Sequence, residues 1–155
     1  MAYEYRAERT IEFAETDMAG IVHFSNYFRF MEATEHYFFR SLGLRLHQEV
    51  NGVMHGWVRV HVECDYVSPL RYLDRVAMRL VVVEKREKVL RHAVLFQRIG
   101  EDGELGPETA RGAMTVVHVM RDRPGGELKA APMPPEVDAA LDAAPAELRH
   151  ELKLK

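Results

Sequence analysis

One long segment of this chain, Tyr27 to Leu42, repeats its apolar residues with the period of a helix, and it stands among segments patterned as strands. Tyr27, Phe30, Met31 and Phe38 recur at three- and four-residue steps, while Arg29, Glu32, Glu35, His36 and Arg40 gather on the other side. The spacing predicts an amphipathic helix with its charged stripe in water. Ser25 or Asn26 can accept a hydrogen bond from a first-turn N–H, and Gly43 supplies the left-handed residue that ends many helices. A single apolar helix face needs a cover, and the rest of the chain offers mainly strands to provide it.

Those strands follow from composition and alternation. Tyr5 to Ala14 suits a first strand, which delivers Asp17 to its end. Leu44 to Gly56 has no clean period and reads as a connector with some local helix. From Trp57 to Tyr66 alternation is strict, which puts Val58, Val60, Val62, Cys64 and Tyr66 on one face and Arg59, His61, Glu63 and Asp65 on the other. Val76 to Glu84 and Val89 to Ile99 read as a long hairpin around the charged bend Lys85-Arg86-Glu87-Lys88. Glu101 to Glu108 is a loop, Ala110 to Met120 the last long strand, and Arg121 to Pro135 is broken by glycine and proline. The order strand, helix, four strands with short turns predicts an α+β domain, a curved antiparallel sheet wrapped around one central helix. Residues 1–135 form that domain, and 136–155 form a tail with short helices or a mobile end, since Val137, Leu141, Leu148 and Leu152 keep roughly helical spacing across Pro145.

At 155 residues with 47% hydrophobic content, one domain can fill its core. No window reaches a membrane-spanning length of apolar residues and the N-terminus lacks the apolar core of a signal peptide, so the expectation is a soluble, cytoplasmic protein. A lone Cys64 agrees with a reducing compartment, and a formal charge of −3 gives no general attraction to nucleic acid. An anionic ligand must then find a local cluster, for which Lys85, Arg86, Lys88 and Arg91 are candidates against the commoner reading of a solvated hairpin bend.

Chemistry concentrates between Glu15 and Glu32. Asp17 precedes a turn at Gly20 that leads into the helix, where unpaired backbone N–H groups near Phe24 and the positive dipole end favour negative charge. A carboxylate and an oxyanion-binding amide could therefore flank one carbonyl. A carboxylate in this position more often only caps or meets solvent, and Glu32 on the helix more often pairs with Arg29 or His36. The eight histidines form no close metal-ligand spacing, and no Gly-x-Ser-x-Gly, Gly-x-Gly-x-x-Gly or phosphate-loop motif is present. No metal and no cofactor are expected.

Thr16-Asp17-x-x-Gly20-x-Val22-x-x-x-Asn26-Tyr27-x-x-x-x-Glu32 resembles the signature of the 4-hydroxybenzoyl-CoA thioesterase-like family of hotdog-fold acyl-CoA thioesterases. Tyr66 to Asp74 and the closing Lys129, Pro132 and Pro134 are similar to later parts of that family, so the likeness covers most of residues 5 to 135. The resemblance implies a hotdog fold, hydrolysis of an acyl-CoA with CoA as part of the substrate, and a homodimer or homotetramer. It makes Asp17 the catalytic carboxylate and the backbone amide of Phe24 the group that polarises the thioester carbonyl. His23 becomes a ring lining the acyl pocket, with Tyr27 and Glu32 as further substrate contacts and Lys88 as a basic contact to CoA. Val89 stands where a hydroxyl residue often follows that lysine, which keeps a carrier-protein thioester open. Phe24, Tyr27, Phe28 and Trp57 offer either an aryl or an aliphatic acyl pocket. A hotdog dehydratase or hydratase, needing a His paired with a carboxylate, and a non-catalytic acyl-thioester binder are the rival readings.

Overall fold

The computed structural model describes residues 1–155. Strands β1 (Glu4–Thr10), β2 (Gln48–Val50), β3 (Val53–Tyr66), β4 (Arg75–Lys85), β5 (Val89–Ile99), β6 (Leu105–Arg121) and β7 (Lys129–Ala130) make one sheet. Its order is β1-β4-β5-β6-β3-β2, with β7 also on β6, and every pairing is antiparallel. The single long helix, α1 (Asn26–Ser41), lies against one face of it, and two short helices follow, α2 (Pro135–Ala140) and α3 (Ala146–Glu151). This is the expected α+β arrangement.

The helix forms where the periodicity puts it. Phe30, Met31, Phe38 and Phe39 are almost fully buried against Met78, Leu80, Val82, Leu90, Val94, Phe96, Met114 and Val116 of the sheet. Gly43 ends it at φ 73°, a conformation that a Cβ makes costly. A second glycine marks a close approach: a Cβ on Gly112 of β6 would displace the end of the Met31 side chain and crowd the Glu63 carbonyl.

Several expectations change: the first strand stops at Thr10 and not at Ala14, and the last four residues of the expected loop Glu101 to Glu108 belong to β6. Glu35 belongs to the helix's buried face, not to its charged stripe, because the guanidinium of Arg59 reaches it from β3. The alternation of β3 is broken by a bulge between Arg59 and His61, where two residues face one on β6. Before the bulge Trp57 and Arg59 turn to the helix side; after it Cys64 and Tyr66 do. Val58, Val60 and Val62 therefore do not share a buried face and stay 39%, 57% and 41% exposed. The connector after α1 contains the short strand β2 rather than helix, paired to Val53–His55 and leaving the rest of the β3 edge free.

The opposite face of the sheet is covered too. Val81, Val83, Ala93 and Ala144 form a second small core with Tyr3, Leu148, Leu152 and Leu154, which explains why β4 is buried on both sides. Val137 and Leu141 of the C-terminal segment enter the main core. Lys85 Nζ donates to the Asp138 and Leu141 carbonyls at 2.7 and 2.9 Å, and Arg111 Nη1 donates to those of Leu152 and Lys153 at 2.8 and 3.1 Å.

Candidate active site

Between β1 and α1 the chain makes a 3-10 turn at Phe13–Glu15 and then a tight hairpin closed by a Thr16–Val22 bridge. Gly20, at φ 77°, allows that turn. Asp17 sits in it half-buried: its N–H donates to the Ile21 carbonyl at 2.9 Å, and its Oδ1 accepts the Ala19 N–H at 2.8 Å. The carboxylate's other oxygen has no partner in the chain.

The hairpin is joined to the helix through Glu15. Its carbonyl accepts the His23 N–H at 3.0 Å and the Asn26 side-chain amide at 2.8 Å. Asn26 therefore serves as a brace, and Ser25 hydrogen-bonds to His23 Nδ1 at 2.7 Å, so neither caps the helix. Without a side-chain cap, the first-turn N–H groups of Asn26 and Phe28 turn to the backbone instead and donate to the His23 and Ser25 carbonyls at 2.9 and 3.2 Å. The N–H of Phe24, just ahead of that turn, has no acceptor within the chain, while its carbonyl accepts the Tyr66 hydroxyl at 2.9 Å. The Phe24 ring is 61% exposed and lies 4.5 Å from the His23 ring, centre to centre. Asp17, His23 and Phe24 are thus brought to one end of the molecule, with the free amide at a helix start where negative charge is favoured.

Tyr27 is buried below them, edge-on to Tyr66 at 5.0 Å and to Phe96 at 5.2 Å. Burial raises its hydroxyl pKa above the usual tyrosine value, and Cys64 adds to this. Burial likewise pushes up the Tyr66 hydroxyl, and it holds the Cys64 thiol at about 11. Cys64 therefore stays protonated near neutrality and is no nucleophile.

The other sequence candidates lie elsewhere. Glu32 is on the exposed part of α1, 3.3 Å from Arg59 Nη1. Lys88 sits in the β4–β5 turn, at the far end of β5 from the hairpin; a strand of that length spans about 35 Å. Of its basic neighbours, Lys85 binds tail carbonyls, Arg86 pairs with Glu84 at 2.9 Å and Arg91 pairs with Glu63 at 2.9 Å. Lys88 has no ion-pair partner. Trp57 is also remote from the hairpin, packed on Phe39 and His118, whereas Phe28 is half-buried beside the core. No three His, Cys, Asp or Glu side chains converge as a metal site, and no helix is long and apolar enough to cross a membrane.

Sequence reading missed two features. The first is the Tyr66 hydroxyl, 42 residues from Phe24, for which the sequence holds no local signal. The second is a buried cluster in mid-helix. Arg59 Nη2 donates to Glu35 Oε1 at 2.7 Å, and His92 Nε2 lies 3.3 Å from Glu35 Oε2 in a geometry that makes no hydrogen bond. Burial raises the Glu35 pKa against the pull of Arg59, and burial, with Arg59 adding, lowers His92 to about 3. This is a His–carboxylate pair of the kind a dehydratase needs. Its side chains are 0% and 1% exposed, so no substrate meets them.

The family model described as the thioesterase-like superfamily matches residues 11–141. A curated relative from Aquifex aeolicus, named "Putative esterase", is 37% identical over 84 residues, which is 54% of this chain and 63% of that protein. The solved 4-hydroxybenzoyl-CoA thioesterase from Pseudomonas sp. strain CBS-3 has the same fold, with a TM-score of 0.76, 24% identity and coverage of 90% of this chain and 100% of that one. A 1,4-dihydroxy-2-naphthoyl-CoA thioesterase from Synechocystis superposes with a TM-score of 0.73 at 23% identity, over 88% of this chain and 94% of its own. The sheet and its central helix are the hotdog fold.

Proposed function

The chain belongs to the thioesterase-like superfamily, and from that premise we propose that it hydrolyses acyl-CoA thioesters to a free acid and CoA. The observation that carries the reading is the pairing of two groups at the helix start: a backbone N–H at Phe24 with no acceptor of its own, and the Asp17 carboxylate on the hairpin that feeds it. Thioester hydrolysis builds negative charge on the carbonyl oxygen. A fixed N–H there stabilises the transition state more than the ground state, with no side chain to reorganise. Asp17 supplies the second requirement. As a general base it takes a proton from the attacking water; as a nucleophile it forms a mixed anhydride that water then opens. Either way the tetrahedral centre collapses by expelling the CoA thiolate.

The His23 and Phe24 rings flank the thioester carbonyl and form the mouth of the acyl site, with Tyr27 as its floor. A broad or aliphatic acyl range is the favoured substrate class. The protein works as a homodimer or larger homo-oligomer, because the free edge of β3 with Val58, Val60 and Val62 calls for pairing. Two-fold antiparallel pairing of those edges would carry the Lys88 end of one chain beside the Asp17 end of the other. That brings a cation to the CoA side of the site, and Glu32 stays at its rim.

The test is release of CoA from a panel of acyl-CoAs, read with a thiol reagent, for the wild type and Asp17→Asn. A loss of at least about 100-fold in kcat with a smaller change in KM is expected for a lost base. Wild-type kcat in Asp17→Asn would refute both roles. No CoA release by the wild type would leave a binding module. Single turnover in ¹⁸O water separates the two roles, since only the anhydride route leaves label on Asp17.

A further inference from the structure

We propose that Tyr66 is a positioning residue for the reaction, holding the backbone of Phe24 so that its free N–H stays aimed at the developing oxyanion. The inference rests on the reading of Phe24 as the oxyanion donor. Tyr66 comes from the last residue of β3, and its Oη donates to the Phe24 carbonyl at 2.9 Å. Its ring is fixed in turn, edge-on to Tyr27, which is edge-on to Phe96 on β5. The hydroxyl is thus carried on a rigid aromatic stack built from the sheet.

Phe24 needs such a brace. It lies outside any element, its ring is exposed, and the helix start beside it has no side-chain cap. The neighbouring residues are tied to Glu15 through His23 and Asn26 and to each other across residue 24, the Asn26 N–H donating to the His23 carbonyl at 2.9 Å and Ser25 bonding to His23 Nδ1, but none of these bonds is made by residue 24 itself. The Tyr66 hydroxyl is the one hydrogen bond the Phe24 backbone makes within the chain. A shift of the donor amide by a fraction of an ångström weakens its contact with the oxyanion while leaving most substrate contacts in place. The signature is therefore a loss in kcat with KM preserved.

Tyr66→Phe removes the hydroxyl and keeps the ring on Tyr27. The expected result is a fall in kcat of about 3- to 10-fold, the range for one neutral hydrogen bond, with KM unchanged and a melting temperature lowered by no more than about 5 °C. Replacing Tyr66 by 4-aminophenylalanine, which restores an N–H donor at the ring's end, should recover most of the loss. The Ser25 amide resonance reports on the bond directly, because the Phe24 carbonyl and the Ser25 nitrogen share one peptide; it should move in Tyr66→Phe and return in the amino variant. Wild-type kcat in Tyr66→Phe overturns the proposal, as does a rise in KM at constant kcat, which would make Tyr66 a substrate contact. If the wild type releases CoA from no thioester, the functional reading fails and takes this role with it. That failure is distinct, since the other outcomes are read only in an active enzyme.

Discussion

Replacing Arg59 by leucine removes the only hydrogen-bond donor that reaches the Glu35 carboxylate inside the sheet–helix core. Glu35 is 1% exposed and the neutral His92 ring beside it offers no hydrogen bond, so the carboxylate would be left uncompensated. Stranding a buried charge costs about 3–5 kcal/mol. Protonation offers a cheaper escape: bringing a carboxyl of ordinary pKa 4.5 to its neutral form at pH 7 costs about 3 kcal/mol. The folded state takes the cheaper route, so Arg59→Leu should lose about 2–3 kcal/mol, or roughly 4–12 °C in Tm for a chain of this size. Glu35→Gln should cost about 1 kcal/mol or less, because Arg59 is 26% exposed to solvent and has Glu32 at 3.3 Å. The double variant should cost about as little as Glu35→Gln alone. Urea and thermal unfolding at pH 7, with every variant at one fixed protein concentration, measure the cycle. An Arg59→Leu loss below about 0.5 kcal/mol, or a double variant equal to the sum of the singles, would refute the reasoning.

Further outcomes follow from other parts of the fold. Phe38→Ala removes a ring that is 1% exposed and should cost about 3–5 kcal/mol in urea unfolding; a loss under 1 kcal/mol would mean that the core does not close on this helix as described. His92 lowers stability in acid. Its unfolded form takes a proton below about pH 6.5, which the folded form refuses down to about pH 3, so its contribution is complete above that window and is lost as pH falls through it. The stability of the wild type relative to His92→Gln should drop between pH 6.5 and 4, by up to about 1.4 kcal/mol per pH unit. Glu35, raised by burial, works in the opposite direction and is common to both proteins. A pH-independent difference would count against a neutral buried His92. Val60→Lys places a charge on the free edge of β3 and should shift the sedimentation coefficient toward that of a monomer; an unchanged value would move the interface elsewhere. Phe24→Ala keeps the peptide and should lower kcat far less than Asp17→Asn in the same CoA-release assay; an equal loss would assign the chemistry to the ring.

Local pattern alone carried much of this molecule. A period of three to four apolar residues placed α1, Gly43 ended it, alternation and short turns gave the strands, and the spacing from Thr16 to Glu32 pointed to the hairpin and helix start where Asp17 and Phe24 now lie. Those features depend on neighbours a few residues apart, so they can be read in one dimension. What escaped depends on partners distant in sequence. Glu35 looked like a solvated helix carboxylate until Arg59, 24 residues on, met it inside the core. The bulge after Arg59 reversed the phase of β3, an insertion that alternation cannot register because every residue still alternates in the sequence. Leu148 and Leu152 had a helical spacing but no visible target, since the face they cover is made by β4 and β5. Lys88 and Asp17 lie at opposite ends of the sheet because the hairpin bend and the helix start are separated by the length of the strands. The Tyr66 hydroxyl found the Phe24 carbonyl only once β3 and the helix start were packed at the same end of the sheet, which is a property of the sheet's register and not of either segment.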